Sequence, residues 1–340
     1  MKKFKTTAIA LTFSALALAL SACQTTSSSQ VSVNANTAID QAIRVNSKAS
    51  TQHTKQMATA NKLNHISYAN VAYDNINERQ KLDIYLPKNH HNNAPVVLYI
   101  HGGGFITGDK MEVMGGSHKN VEEMIKRLLD NGYAVVSVGY RFLPDALLDG
   151  ISNDVTKAFE FVRKNGKQYG LDSNRIAVMG ESAGGHLAQW LAVTQGKHIK
   201  ASLPYYGSAD FVNMTATTKA QPQCEETNWA NVIQADIPQD FDLSAYAVGE
   251  KYGSPAFIKK ATALSPIYRV SKDTPPTLMF HGDNDCVVAH EQSVRYLKKL
   301  QEYQIPSELV IVKGEGHATP KFWTTPEYQE KVLAFLKQYL

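Results

Sequence analysis

The chain has 340 residues, 43% of them hydrophobic and 19% charged, and a formal charge of +4 that includes Lys2, Lys3 and Lys5 at its very start. No Lys/Arg cluster interleaved with aromatics appears, which excludes a nucleic-acid surface. The cysteines are Cys23, Cys224 and Cys286, and their spacing excludes a zinc site, which needs further clustered ligands.

Behind the three lysines, residues 8–20 form an apolar run that fits a signal segment but falls short of the ~20 residues that comfortably span a bilayer. Residues 1–22 are therefore expected to be a signal peptide. The run ends in Leu20-Ser21-Ala22-Cys23, which resembles the lipobox of bacterial lipoproteins. That resemblance implies cleavage before Cys23, lipidation of Cys23 and a membrane partner reached through the lipid anchor. The alternative is an ordinary small-residue cleavage site. Gln24, in place of aspartate, resembles the outer-membrane sorting pattern, so the expected location is the cell envelope on an outer membrane. Residues 23–60 are rich in Ser, Thr, Asn, Gln and Ala without a sustained apolar period. Such a composition buries too little surface to offset its ordering entropy and reads as a tether, with a short helix near 38–44. Residues 61–340 then suffice for one large α/β domain.

Short strands are expected at 71–73 and 81–86, around a turn at Asp74-Asn75-Ile76-Asn77. In the second, Leu82, Ile84 and Leu86 alternate with Asp83 and Tyr85, the period of a half-covered edge. Residues 95–100, 133–138 and 175–179 are near-continuous apolar runs, which suit parallel strands covered on both faces. Helices are expected at 121–129, with its stripe Val121, Met124, Ile125, Leu128 and Leu129, and at 151–162. Further strands are expected at 277–280 and 308–312, with a helix at 291–302 between them and a closing helix at 326–339. The alternation predicts a mostly parallel central sheet flanked by helices. Residues 207–275 lack a strand period, and a structureless loop this long is improbable, so they read as a helical, cap-like insertion over one end of the sheet.

Chemistry concentrates where strands end. Gly180-Glu181-Ser182-Ala183-Gly184 follows the 175–179 strand and opens a helix through Leu187 and Leu191, the context of a nucleophile elbow. His101-Gly102-Gly103-Gly104-Phe105 follows the 95–100 strand, and its glycines allow main-chain N–H groups to converge on an oxyanion. The serine-hydrolase template adds the N–H of Ala183. A phosphate loop is excluded by the missing Gly-Lys-Ser/Thr ending and Gly-x-Gly-x-x-Gly spacing. His281-Gly282-Asp283-Asn284-Asp285 and Gly314-Glu315-Gly316-His317 follow the last two strands, in the chain order Ser, Asp, His. Asp283 and Asp285 are both candidates for the acid. His186, His281 and His290 are read as packing or hydrogen-bonding residues, His101 as a loop-holding residue, and Glu315 as a solvated charge. Cys224 and Cys286 either pair or stay as separate thiols.

From Leu82 onward the chain resembles the α/β-hydrolase superfamily, and within it the hormone-sensitive-lipase-like and BD-FAE-like esterases. The resemblance rests on Asp83-Ile84-Tyr85-Leu86-Pro87, the His101-Gly102-Gly103-Gly104 loop with Gly108-Asp109, Val138-Gly139-Tyr140-Arg141, the run from Asn174 to His186, and the Asp285 and His317 loops. Gly139 stands where the family often has asparagine, and Glu181 where hormone-sensitive-lipase-like members carry aspartate. The resemblance implies Ser182 as nucleophile, His317 as base, Asp285 as acid, and Gly103, Gly104 and Ala183 as oxyanion donors. It also implies no metal or organic cofactor, and a short-acyl, aryl, acetyl or feruloyl ester as substrate, whether a small molecule or linked to polysaccharide. The alternatives are an amidase or peptidase on the same scaffold, or an inactive binding lipoprotein.

Overall fold

The apolar runs assemble into one eight-stranded sheet of order β1-β2-β4-β3-β5-β6-β7-β8. The strands are β1 (Ile66–Ala72), β2 (Lys81–Tyr85), β3 (Ala94–Ile100), β4 (Ala134–Val138), β5 (Leu171–Glu181), β6 (Ala201–Tyr205), β7 (Thr277–Gly282) and β8 (Ser307–Val312). β2 is antiparallel to β1 and β4, while β4, β3, β5, β6, β7 and β8 run parallel. Among the described residues from 66 onward, the α-helices are α1 (Lys119–Asp130), α2 (Leu148–Asn165), α3 (Ala183–Thr194), α4 (Met214–Lys219), α5 (Leu243–Val248), α6 (Pro255–Leu264), α7 (Glu291–Glu302), α8 (Lys321–Thr324) and α9 (Pro326–Tyr339). This computed structural model describes residues 66–88, 93–114, 119–221, 224 and 241–340, with Thr37, Asp40, Gln41, Arg44, Val45 and Lys48. The expected signal peptide, the lipidation residue Cys23 and most of the expected tether lie outside the described residues. Thr37, Asp40, Gln41, Arg44, Val45 and Lys48 are helical, where a short helix is expected.

The pleat of each central strand divides its side chains between two apolar layers. Val96, Leu98 and Ile100 of β3, with Ile176 and Val178 of β5, join the layer that contains Leu148, Ile151 and Val155 of α2 and Leu187 and Leu191 of α3. Val97, Tyr99, Ala177 and Met179 face the opposite layer, with Val121, Ile125 and Leu128 of α1 and Val332 and Leu336 of α9. That explains the continuous runs: both strand faces are dry, and each fully buried Val, Leu or Ile contributes about 1.5–3 kcal/mol. The insertion is fused to the first layer through Met214, Leu243, Ala247, Val248, Phe257 and Ala261.

One expectation is corrected, and one strand is added. β2 is not a half-covered edge: it lies between β1 and β4, and Leu82, Asp83, Ile84 and Tyr85 are all buried. Its alternation reflects a buried ion pair, with Asp83 Oδ2 accepting from Lys110 Nζ at 2.8 Å and Oδ1 from the Asn70 N–H at 2.7 Å. β6 is a central strand that the apolar pattern did not reveal. Pro204 lies inside it, and a proline without an N–H argues against a central strand. The ladder accommodates it: β6 pairs with β7 at Ser202 with Thr277 and at Tyr205 with Phe280, either side of Pro204.

Candidate active site

Four loops converge at the carboxyl ends of the parallel strands, where open α/β sheets place their sites. Ser182 stands between β5 and α3 with φ 52° and ψ −119°, a strained turn that a non-glycine residue rarely adopts. It is over-determined by its neighbours: the Ser182 N–H donates to Tyr205 C=O at 3.0 Å, and the His186 N–H donates to Ser182 C=O at 3.0 Å. Close packing below the turn requires glycine, because a Cβ on Gly184 would lie 2.0 Å from Ile100 O.

β8 lies three strands from β5 in the sheet order, so the His317 loop must fold back over β7. It does so with the Asn284 N–H donating to Glu315 C=O at 3.0 Å, and a Cβ on Gly282 would lie 2.1 Å from Glu315 O. His317 thereby reaches Ser182, its Nε2 2.8 Å from the serine Oγ, while Nδ1 sits 2.7 Å from Asp285 Oδ2. A carboxylate only accepts, so the proton on Nδ1 faces Asp285 and the lone pair of Nε2 faces the Ser182 hydroxyl.

Asp285 is fully buried. Its Oδ1 accepts the N–H groups of Val287 at 2.9 Å and Val288 at 2.8 Å, and His281 Nε2 lies 3.3 Å from Oδ2. Burial alone would raise its pKa, but His317 and His281 more than offset that and hold the carboxyl well below the usual range. Asp283 instead accepts the Gly314 N–H at 2.6 Å and ties the two loops together. His281 is buried, with Nδ1 2.7 Å from Ser293 Oγ and Nε2 2.7 Å from Val288 O. His186 bonds Ser208 O at 2.8 Å beneath Phe105 and Phe211, and burial pushes its pKa down to about 4. Glu315 pairs with Lys321 at 2.9 Å.

The glycine loop after β3 passes beside the elbow, where a Cβ on Gly102 would lie 3.2 Å from Ser182 Cβ. Ile106 and Thr107 N–H groups both donate to Gly103 C=O at 3.0 Å, closing a tight turn. His101 Nδ1 lies 2.8 Å from Gly102 O, its ring stacks on Tyr140 at 4.4 Å, and the Tyr140 hydroxyl donates to His101 C=O at 2.9 Å. Gly103 and Gly104 follow Gly102 on this loop, and Ala183 opens α3, where the first N–H groups have no intrahelical partner. Leu243 of the insertion approaches Gly104, its Cδ2 3.8 Å from the position a Cβ would occupy.

Sequence reasoning missed three contributors. Glu181, buried beside the serine, accepts from Tyr99 at 2.9 Å and Tyr206 at 2.6 Å. Tyr206 also packs its ring edge-to-face on His317 at 4.9 Å. Gln221 reaches the acid loop, its Nε2 donating to Asp285 C=O at 2.7 Å. Tyr206 immediately follows the strand that the pattern missed, and no local motif marks Gln221. Cys224 and Cys286 are joined in a disulfide, Cα atoms 5.4 Å apart. Among the described residues, no group of three or more His, Cys, Asp or Glu side chains is arranged to hold a metal ion.

A mostly parallel sheet carrying a strained serine elbow, with loops from the ends of β3, β7 and β8 around it, defines the α/β-hydrolase fold. Within that fold the chain belongs to the BD-FAE family, whose model matches residues 82–300. It is 25% identical over 250 residues to isoprenylcysteine alpha-carbonyl methylesterase ICME of Arabidopsis thaliana, covering 70% of this chain and 54% of the relative. Esterase LipC of Mycobacterium tuberculosis is 28% identical over 226 residues, with 65% and 52% covered. The chain thus spans about half the length of these curated relatives. Among solved structures, a truncated carbohydrate esterase from gut microbiota superposes with a TM-score of 0.63 at 25% identity, covering 81% of this chain and 97% of that one.

Proposed function

We propose that this chain is a serine carboxylic-ester hydrolase working through an acyl-enzyme on Ser182. The observation that carries the reading is the unbroken series from Asp285 through His317 to the Ser182 hydroxyl, at 2.7 and 2.8 Å. His317 takes the hydroxyl proton as Ser182 Oγ attacks the ester carbonyl. The N–H groups of Gly103, Gly104 and Ala183 stabilise the oxyanion, and Asp285 holds the imidazole in the required tautomer and stabilises its protonated form. His317 then protonates the leaving alcohol, and water activated by the same imidazole releases the acid. No cofactor takes part in these steps.

Substrates in this reading are short-acyl or aryl esters, including acetyl and feruloyl groups, either on small molecules or on polysaccharide. The likeness to a carbohydrate esterase supports the polysaccharide-linked case. The chain is also read as exported and lipid-anchored through Cys23, on an outer membrane, with residues 23–60 as tether and 207–275 as the wall of the ester pocket. The lysine-led apolar segment ending in Leu20-Ser21-Ala22-Cys23 supports this location, and a disulfide suits an oxidising compartment.

A panel of p-nitrophenyl acetate, longer acyl esters, feruloyl esters and acetylated xylan, assayed beside an aryl acylamide, tests the chemistry. Ester turnover that Ser182→Ala reduces by at least about 10⁴-fold with folding intact is expected. Retained turnover in that variant, or faster cleavage of the amide, contradicts the reading.

A further inference from the structure

A brace grips the acid loop from outside it. Cys224 is bonded to Cys286, the residue that follows Asp285. Three positions before Cys224, the Gln221 side chain donates to the main-chain carbonyl of Asp285 at 2.7 Å. The Cys224 N–H donates to Gln221 C=O at 3.1 Å, which ties the two contacting residues to each other. Gln221 and Cys224, after α4, therefore hold the acid residue twice, by a hydrogen bond on its own carbonyl and by a covalent bond at the next position. The N–H groups that orient the Asp285 carboxylate come from Val287 and Val288, on the same loop, and move with it. The brace instead refers the loop to a different part of the fold.

From this geometry we propose that Gln221, held in place by the Cys224–Cys286 disulfide, is a positioning residue that fixes Asp285 against His317. The proposal rests on reading Ser182, His317 and Asp285 as one catalytic unit. Asp285 and His317 meet at 2.7 Å, a charge-assisted distance at which a small displacement of the loop weakens the contact. Turnover then depends on the oxidation state of the pair. A dithiol reductant delivers two electrons and two protons, the sulfur–sulfur bond breaks to give the Cys224 and Cys286 thiols, and the dithiol leaves as its own disulfide. The brace is therefore complete where the two thiols are oxidised and is lost in a reducing compartment.

The test compares wild type, Gln221→Ala, the double variant Cys224→Ser/Cys286→Ser, and dithiothreitol-treated wild type on p-nitrophenyl acetate. Active sites are counted with a phosphonate that labels the nucleophilic serine. The expected result is a fall in kcat per titrated site of between about 5- and 100-fold with KM within about twofold, in the variants and the reduced enzyme alike. A brace that only stabilises the fold would reduce the number of titratable sites while leaving the per-site rate as in wild type. That outcome overturns the proposal. A Ser182→Ala control separates the two levels: an inactive Ser182→Ala protein beside an unaffected Gln221→Ala protein rejects the brace alone, whereas a fully active Ser182→Ala protein rejects the hydrolase reading beneath it.

Discussion

Asp283 and Asp285 stand two residues apart on one loop and serve opposite neighbours: Asp285 Oδ2 meets His317 Nδ1 at 2.7 Å, while Asp283 Oδ1 accepts the Gly314 main-chain N–H at 2.6 Å. The first contact reaches an imidazole and the second a backbone amide, so the same functional group has unlike consequences when removed. Asp285→Asn leaves the shape but replaces an anion with an amide that no longer dictates the His317 tautomer. A loss of about 10⁴-fold in kcat is expected, with Asp283→Asn within about threefold of wild type because its amide oxygen still accepts from Gly314. Steady-state kinetics of the two variants on one ester decide it, and equal losses would show the acid to be misassigned.

Stability should carry the signature of Asp285 in acid. Its folded-state pKa is depressed, chiefly because His317 and His281 outweigh the effect of burial. The ionised group therefore stabilises the fold fully above its unfolded value of about 3.9, and this contribution is lost as pH falls from there through the folded value. Urea unfolding at pH 6 and pH 3 checks this: wild type is expected to lose more stability between the two than Asp285→Asn, in which the group cannot titrate. A larger loss in the variant would reverse the sign of the linkage.

The buried ion pair between Lys110 and Asp83 offers a purely structural test. Lys110 and Asp83 are 2.8 Å apart, with side chains 7% and 1% exposed. Lys110→Met leaves Asp83 buried without its cation and is expected to cost about 3–5 kcal/mol in chemical denaturation. Replacing both, as Asp83→Asn with Lys110→Met, should recover a large part of that loss, since no uncompensated charge remains. A single variant as stable as wild type would mean that the pair is not buried in solution.

The proposed lipid anchor on Cys23 can be tested apart from catalysis. Cys23→Ser in a bacterial host is expected to move the protein from the detergent-rich phase to the aqueous phase after phase partition, with ester turnover unchanged, because several acyl chains bind far more firmly than one. Persistence of the variant in the membrane fraction would reject the lipid anchor.

The sequence made much of the site legible because each loop is short and follows an identifiable strand. The elbow, the glycine loop and the His317 loop all sit where apolar runs end, and the parallel sheet follows from their double-sided hydrophobicity. β6 is not legible in the pattern because Pro204 interrupts a run that is otherwise strand-like, and β2 reads as an edge because Asp83 looks like a solvent-facing residue until Lys110 folds against it. Glu181 showed itself only as a departure from aspartate. Its partners Tyr99 and Tyr206 lie 82 and 25 positions away, and nothing local connects them to it.

Local sequence by itself determined the serine turn, the glycine-rich approach to it and the order of a serine, an acidic loop and a histidine loop after successive strands, because these depend on backbone freedom and hydrophobic period within a few residues. The choice between Asp283 and Asp285 from geometry, the pairing of Cys224 with Cys286 and the placement of Gln221 on the Asp285 carbonyl were decided only by tertiary structure. Each depends on which distant segment arrives at a loop after the sheet closes, and that is fixed by strand order and layer packing rather than by any neighbour in the chain.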